Sequence, residues 1–279
     1  MGLPLPTALI LIESINKERK GKVLCLGNQL MGFNVKDLLA SSKKYNHNFD
    51  LSGFTNLNPS LVLDQEIFFN SLGYNTVDTL DVDDYEGANI ILDLNKKIEN
   101  KDYIKNYDLI YDGGTFEHIF NIGTALNNIS ILLNTNGVIF HSNPCNGYID
   151  HGFFQISPTL YFDYYLQNNF DVISCTLEDN TIGIRNFNIN QDLYRTLTPD
   201  FSIFNSPKCK ISFCARKKID SNEFITPQQS YYLSTWNQGA QKKYKVEKSI
   251  ILDNYKLTRK ILFFWITIPY LIIKKLKQF

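Results

Sequence analysis

The chain is predicted to adopt an α/β fold: a doubly wound, mostly parallel seven-stranded sheet with helices on both faces and a C-terminal helical extension. Two observations lead to this prediction. Short apolar runs recur along the chain, and polar or helix-forming segments separate them, which is the pattern of a parallel sheet. Two of these runs also end on a carboxylate, Asp81 and Asp93. Because ligands bind beyond the carboxyl ends of parallel strands, both acids are expected at one crevice.

Each predicted strand is a short apolar run bounded by polar or turn-forming residues. In chain order the seven runs span residues 22–26, 75–82, 90–92, 107–111, 138–141, 171–177 and 208–215.

Four helices are predicted before or between these strands. The first is a short apolar helix within residues 1–20, and the second covers residues 59–71. An amphipathic helix follows over residues 122–133, and the turn sequence at 134–137 ends it. The fourth begins at Ser157-Pro158, because serine caps a helix well and proline suits its first position, and it continues to residue 167.

The spacing of the first two strands bears on the domain organisation. A βαβ unit takes about 30 residues, but Leu26 and Asp81 lie farther apart than that. The excess is the polar segment 43–58, which is predicted to be either a lid over the crevice or a solvated insertion. The expected organisation is an N-terminal helix in residues 1–20, a main domain in 21–218 and an extension in 219–279.

Composition and charge exclude some classes of protein. The 279 residues are 44% hydrophobic and 14% aromatic, so a disordered chain is not expected. Basic and acidic residues number 28 each, which lacks the basic excess typical of a nucleic-acid-binding protein. The 5 cysteines include no CxxC pair, and this favours a reduced, cytoplasmic protein.

The first strand runs into a turn with one glycine, Gly27, followed by Asn28 and Gln29. A dinucleotide fingerprint needs three glycines so that the backbone can approach a pyrophosphate, and no Gly-Lys-Ser/Thr phosphate loop is present. On its own, a strand followed by a glycine turn is as often a purely structural feature as part of a ligand-binding site. Strand-end acids suit hydroxyl and amino donors and repel phosphates. The combined pattern therefore favours S-adenosylmethionine as the cofactor over a dinucleotide.

Each of the strand-end acids has two interpretations. Asp81 could accept hydrogen bonds from both ribose hydroxyls, or it could be a helix cap or a solvated turn residue. Asp93 could accept a hydrogen bond from the adenine amino group, or it could cap the segment after Asn95. Two acids at successive strand ends favour the ligand-binding interpretation for the pair.

Three of the four histidines, His118, His141 and His151, fall in the loop after the fourth strand and in the next one. Histidine is the side chain best suited to move a proton near neutral pH. His151, with glycines at 147 and 152, is the predicted general base, and His118 is the second candidate. A core or supporting role is the alternative for each of the three. No HxxxH or HxH spacing indicates a metal site, so none is predicted.

The central part of the chain resembles a known family. The segments GYNTVDTLDVDDYEGANIILDLN, YDLIYDGGTFEHIFN and NPCNGYIDHGFFQISPTLYFDYY together resemble class I S-adenosylmethionine-dependent methyltransferases, in a bacterial subgroup associated with surface-glycan or other specialised biosynthesis. The resemblance covers residues 20–178 and implies a Rossmann-like fold. It implies cofactor contacts by Gly27 in the glycine loop, Asp81 on the ribose, Asp93 with Leu94 at the adenine, and Asp112 beside the methionine part. The glycine turn departs from the family's acid-x-Gly-x-Gly pattern.

The activity expected from this resemblance is transfer of a methyl group to a hydroxyl group of a small molecule or glycan, with an amine as the alternative acceptor. A non-catalytic methyltransferase-like module that binds a partner is the main competing function. A short-chain oxidoreductase is a third interpretation, because Tyr-x-x-x-Lys occurs at 244–248 and at 270–274. Both pairs lie outside the predicted sheet, and the glycine fingerprint is missing, so we interpret them as chance matches.

The C-terminal region contains an uncharged apolar run, residues 261–273, with basic residues at 259, 260, 274 and 275. A transmembrane helix needs about 20 residues, and this run is shorter. One prediction is a peripheral contact with the inner face of the membrane through residues 259–275. The alternative is a helix packed against the sheet or in a homo-oligomer interface.

Overall fold

The computed structural model describes residues 2–16, 18, 20–44, 50–99, 103–104, 106–179, 185–188, 208–219, 224–230 and 232–233. The chain divides into two units, and the second, which comprises Thr196–Asn205 and Thr235–Phe279, lies outside the described residues. The predicted membrane contact at 259–275 and both Tyr-x-x-x-Lys pairs therefore lie outside them as well.

The described part of the chain contains ten strands and six α-helices. The strands are β1 Lys22–Leu26, β2 Leu30–Asn34, β3 Val62–Asp64, β4 Thr76–Asp81, β5 Ile90–Ile91, β6 Tyr107–Asp112, β7 Leu133–Asn146, β8 Phe170–Asp179, β9 Arg185–Asn188 and β10 Cys209–Lys217. The helices are α1 Leu5–Ile15, α2 Val35–Lys44, α3 Ser52–Thr55, α4 Gln65–Ser71, α5 Ile122–Leu132 and α6 Pro158–Gln167.

The main sheet has the strand order β5-β4-β1-β6-β7-β10-β8-β9 within the described residues. The first five strands in this order, β5, β4, β1, β6 and β7, are parallel to one another. β10 runs antiparallel to both β7 and β8, and β9 is antiparallel to β8. The fold is therefore the Rossmann-like, mostly parallel α/β fold that the sequence predicted. All seven predicted strands are present, and β9 is an additional edge strand.

The chain changes direction across the sheet at β1. β4 pairs with one edge of β1, and β6 pairs with the other. This is the topological switch point of a doubly wound sheet, where ligands bind beyond the carboxyl ends of the strands.

Both faces of the sheet are covered. Alternate residues of β1 and β6, such as Val23, Cys25 and Tyr111, belong to a core that also contains apolar side chains of α1, α2 and α4. On the other face, Tyr161 of α6 packs against Phe213 of β10, with ring centroids 5.3 Å apart. The two-residue repeat of the strands separates the two cores.

The predicted helix over 59–71 begins later than expected, at Gln65. Residues Val62–Asp64 instead form β3, which pairs with β2 in a two-stranded sheet. The Asp64 side chain accepts a hydrogen bond of 2.7 Å from the Ile67 N–H group, so it caps α4. The pairing of β3 with a strand distant in sequence is the reason that local pattern misplaced this boundary.

Part of the predicted lid, residues 45–49, lies outside the described residues. In the described part, Phe54 is fully buried, and its ring centroid lies 5.9 Å from that of Phe68. A lid over the crevice stays a prediction. Among the described residues, no helix is both long enough and apolar enough to span a membrane.

Candidate active site

The turn after β1 joins two neighbouring strand ends. Gly27 has φ 74, in the left-handed region that glycine adopts without strain. Its N–H group donates a 2.8 Å hydrogen bond to the Leu80 carbonyl, directly before Asp81. The predicted glycine turn and the predicted ribose acceptor are thus adjacent.

Gln29 is buried beneath this turn and keeps one acceptor unpaired. Its Nε2 donates to the carbonyls of Leu26 (2.9 Å) and Gly27 (3.2 Å). Its Oε1 atom and the Tyr111 hydroxyl are buried without a hydrogen-bond partner among the described residues. A Cβ atom at Gly113 would lie 2.2 Å from that Oε1 atom and 2.6 Å from Tyr111 Cε1. Two polar atoms lacking partners therefore lie where β1 and β6 end.

Asn28 and Asp81 hold the loop after β4. Asn28 Nδ2 donates a 2.9 Å hydrogen bond to the Glu86 carbonyl. Asp81 is partly exposed, and its Oδ1 atom accepts a 2.7 Å hydrogen bond from the Val82 N–H group. The remaining carboxylate oxygen of Asp81 lies at the strand end predicted to bind the ribose.

Asp93 caps the turn that follows it, which is the structural one of its two interpretations. Its Oδ1 atom accepts hydrogen bonds from the Asn95 N–H group (3.0 Å) and from Asn95 Nδ2 (3.1 Å). Its Oδ2 atom lies 3.1 Å from Lys96 Nζ. The hydrogen bonds from Asn95 hold the pKa of Asp93 below its usual value. The neighbouring Leu94 is buried, and the adenine contact stays a prediction for both residues.

The Asp112 carboxylate is fully buried and has internal partners on both oxygens. Oδ1 accepts hydrogen bonds from the N–H groups of Thr115 (2.8 Å) and Phe116 (3.3 Å). Oδ2 accepts one from Asn143 Nδ2 (2.9 Å) and lies 2.7 Å from His141 Nδ1. The resemblance placed Asp112 beside the methionine part. In the structure its carboxylate orders the loop after β6, and the cofactor contact of Asp112 stays a prediction.

His141, a candidate from the sequence, belongs to this buried network. Its Nε2 atom lies 2.6 Å from the Tyr165 hydroxyl, and its ring stacks on Tyr161 with centroids 4.2 Å apart. The side chain is fully buried between the sheet and α6. His141 therefore has the core role that was the alternative interpretation.

The other two histidines meet at a buried glutamate that the sequence reasoning missed. Glu117 is 1% exposed, and its Oε2 atom accepts a 2.9 Å hydrogen bond from Asn143 Nδ2. Its Oε1 atom lies 3.4 Å from His151 Nε2 and 3.9 Å from His118 Nε2. The centroids of the two imidazole rings are 5.1 Å apart. We refer to Glu117, His118 and His151 as the acid–histidine cluster.

Burial is the main cause of the pKa shifts within the cluster. Desolvation and the nearby Asp112 carboxylate raise the pKa of Glu117 to about 7. Desolvation, with a contribution from His151, lowers the pKa of His118 and favours its neutral form. A neutral imidazole beside a buried acid can accept a proton from a bound hydroxyl group.

Main-chain contacts between two loops bring the cluster together. The Phe154 N–H group donates a 3.1 Å hydrogen bond to the Glu117 carbonyl. A Cβ atom at Gly152 would lie only 2.8 Å from that carbonyl oxygen. Glycine at 152 thus permits the close approach that places His151 against the loop after β6. The one sequence signal for Glu117 is its position beside His118 in a strand-exit loop.

Comparison with solved structures gives distant similarities. The chain is similar to the MccD protein, with 13% identity, a TM-score of 0.40, and coverage of 76% of this chain and 96% of that one. It is also similar to TehB from Haemophilus influenzae, with 14% identity, a TM-score of 0.38, and coverage of 76% and 62%.

A third similar structure is the Burkholderia thailandensis 1,6-didemethyltoxoflavin-N1-methyltransferase with S-adenosylhomocysteine bound. The identity is 12%, the TM-score is 0.34, and the alignment covers 77% of this chain and 78% of that one. No family model and no curated protein matches the chain. Similarities this distant assign neither an activity nor a substrate, and the fold rests on the strand order of the chain itself.

Proposed function

We propose that this protein is a class I methyltransferase that uses S-adenosylmethionine to methylate a hydroxyl group of a small molecule or glycan, with an amine as the alternative acceptor. The proposal rests mainly on how side chains are arranged beyond the carboxyl ends of the strands at the topological switch point, which we call the switch-point edge. A glycine turn, a strand-end carboxylate and an unpaired buried amide oxygen lie at neighbouring strand ends, and the acid–histidine cluster lies on the loops of the next two strands.

The cofactor side of this edge suits S-adenosylmethionine. An unpartnered buried acceptor costs about 1–3 kcal/mol, and within the described part of the chain Gln29 Oε1, just after β1, is such an acceptor. An ammonium or hydroxyl donor of the cofactor would satisfy it. Asp81, beside the Gly27 turn, is an acceptor for ribose hydroxyls. The single glycine, with no phosphate loop, fits a cofactor that has no phosphate.

The acceptor side of the edge supplies a base. S-adenosylmethionine, when bound, presents an electrophilic methyl carbon on a sulfonium. His151, with 48% of its side chain exposed, is positioned to accept the proton of an incoming hydroxyl group, and His118 is the second candidate. The Glu117 Oε1 atom lies beside both imidazoles, where its charge stabilises a protonated ring. The reaction is an in-line displacement, so alignment of acceptor and methyl group accounts for much of the catalysis.

Calorimetric titration of the purified protein tests the proposal. Wild-type protein is expected to bind S-adenosylmethionine and S-adenosylhomocysteine but not NAD. Asp81→Asn is expected to weaken binding by about tenfold or more, because a hydrogen bond to a charged group contributes about 1.5–3 kcal/mol.

The matched control is Asp84→Asn, which removes an exposed carboxylate from the same loop. It is expected to leave the affinity unchanged. Binding of NAD in place of S-adenosylmethionine, or equal losses in the two variants, would contradict the proposal.

A further inference from the structure

The acid–histidine cluster has the donor set of a transition-metal site. Two imidazole nitrogens and one carboxylate oxygen lie within 4.8 Å of one another. Ligands spaced tetrahedrally around zinc are roughly 3.4 Å apart, given metal–ligand distances of about 2.0–2.2 Å. The separation of Glu117 Oε1 and His151 Nε2 is 3.4 Å, and that of Glu117 Oε1 and His118 Nε2 is 3.9 Å.

The exposure of the three side chains differs in the way such a site needs. Glu117 is buried, and Asn143 Nδ2 fixes its second oxygen at 2.9 Å. Outer hydrogen bonds of this kind orient metal-binding carboxylates. The side chains of His118 and His151 are 45% and 48% exposed, so rotation of their rings can close the remaining distances.

Charge in this region also favours a cation. Glu117 and Asp112 are two buried carboxylates that share the Asn143 amide group. Buried charge is costly unless it is paired. A divalent ion beside Glu117 would offset the cost while remaining open to solvent on the side of the histidines.

We propose that Glu117, His118 and His151 bind a divalent transition-metal ion of the zinc class. Imidazole ligands select zinc and its neighbours, whereas magnesium and calcium prefer all-oxygen sites. Three protein ligands leave a coordination position for a further molecule.

The role of the ion, unlike its binding, rests on the proposed methyltransferase function. The acceptor hydroxyl would take the open position, where the ion lowers its pKa as it does that of bound water. The hydroxyl proton passes to solvent, the oxygen forms a bond to the methyl carbon, and the carbon–sulfur bond breaks with its electron pair on sulfur. When the ion is bound, His151 acts as a ligand and does not remove the proton itself, whereas in the metal-free protein it is the proposed base.

Metal binding can be measured without an acceptor. Tag-free protein, stripped with a chelator, is titrated with ZnCl₂ by calorimetry and with Co²⁺ by visible absorption. One ion per chain is expected. Glu117→Gln, His118→Gln and His151→Gln are each expected to weaken binding at least tenfold, a loss that even outer-sphere changes cause.

The matched control is Asp150→Asn, which neutralises the exposed acid next to His151 and suits the positive φ of 64 at that position. It is expected to bind zinc as wild type does. Thermal unfolding of each variant without metal shows that it is folded, and zinc should raise the unfolding temperature of wild type but not of the ligand variants.

Absence of stoichiometric binding would overturn the proposal, and so would binding that survives all three substitutions, since the ion would then be held elsewhere, for example by thiols. Titration of the same metal-free protein with S-adenosylmethionine tests the methyltransferase function separately, because zinc binding requires neither cofactor nor acceptor.

Discussion

At the scale of single residues, Glu178 is a buried acid on β8 that has no part in the proposed chemistry. It is 2% exposed and accepts hydrogen bonds from the hydroxyls of Thr7 (2.8 Å) and Ser212. Burial raises its pKa above the usual 4.5, while the two hydroxyls and the charge of Lys210 act in the opposite direction. The folded state therefore binds this proton more tightly than the unfolded chain does.

Stability is expected to fall as the pH rises from about 4.5 through the raised pKa of Glu178. Glu178→Gln removes the buried charge and keeps the shape, and hydroxyls can accept from the new amide. Urea unfolding should show the variant to be more stable than wild type at pH 7, with the gain lost in acid. Glu86→Gln, at an exposed position, should show no such gain. A destabilised Glu178→Gln at pH 7 would mean that its two hydroxyl bonds outweigh the cost of burial.

His151 is the residue on which the proposed chemistry depends most. Once an acceptor has been found by release of S-adenosylhomocysteine, His151→Ala is expected to slow methyl transfer by 10²–10⁴, the usual effect of losing a general base. His118→Ala is expected to slow it less. Cofactor affinity, measured in parallel, should stay near the wild-type value in both. A wild-type rate in His151→Ala would move the role to His118.

At the scale of elements, two glycines give opposite expectations for the same substitution. At Gly113, after β6, an added Cβ would lie 2.2 Å from Gln29 Oε1 and 2.6 Å from Tyr111 Cε1. Gly113→Ala should cost about 1–3 kcal/mol of stability through overpacking and should weaken cofactor binding. At Gly123, in α5, an added Cβ meets no atom of the described residues within 4 Å.

Gly123→Ala should therefore stabilise the protein by about 0.5–1 kcal/mol, because alanine is the better helix former. Thermal or urea unfolding measures both variants. Equal stability changes in the two would show that the strand-exit loop is looser than its packing indicates.

At the scale of the whole molecule, the contact of the C-terminal run 261–273 with a membrane stays a prediction. Its basic flanks, together with Trp265 and Tyr270, suit the headgroup layer of a membrane, and Pro269 disfavours one straight helix. Full-length protein is expected to cosediment with vesicles that contain anionic lipid, whereas a chain ending at Leu257 is expected to stay in the supernatant. Such a contact would place the protein near lipid-linked glycans.

The control for this experiment is sedimentation of both chains without vesicles, which also reports self-association. Equal recovery of the two chains in the supernatant would remove the membrane role. A smaller particle for the shortened chain, without any lipid binding, would support the alternative interface between copies.

Local pattern in the sequence determined much of the fold. Apolar runs located all seven predicted strands, because strands of a sheet covered on both faces are rich in apolar residues. The cap and proline at Ser157-Pro158 located the start of α6. The local pattern did not predict β3, because the partner of this strand, β2, lies some thirty residues earlier in the sequence. The fifth strand, predicted at 138–141, runs from Leu133 to Asn146: the predicted turn at 134–137 belongs to it, and its second half carries buried polar residues such as Asn143.

The sequence by itself also determined which residue types stand at the strand ends, and so the candidates Asp81, His118 and His151. Only the tertiary structure decided which of those candidates meet. It joined His118 to His151 through the contact at Gly152, placed Glu117 between them, and turned the Asp112 carboxylate inward toward His141. The physical reason is that strand and helix signals are local, whereas proximity across two loops depends on main-chain contacts and burial that no local pattern records.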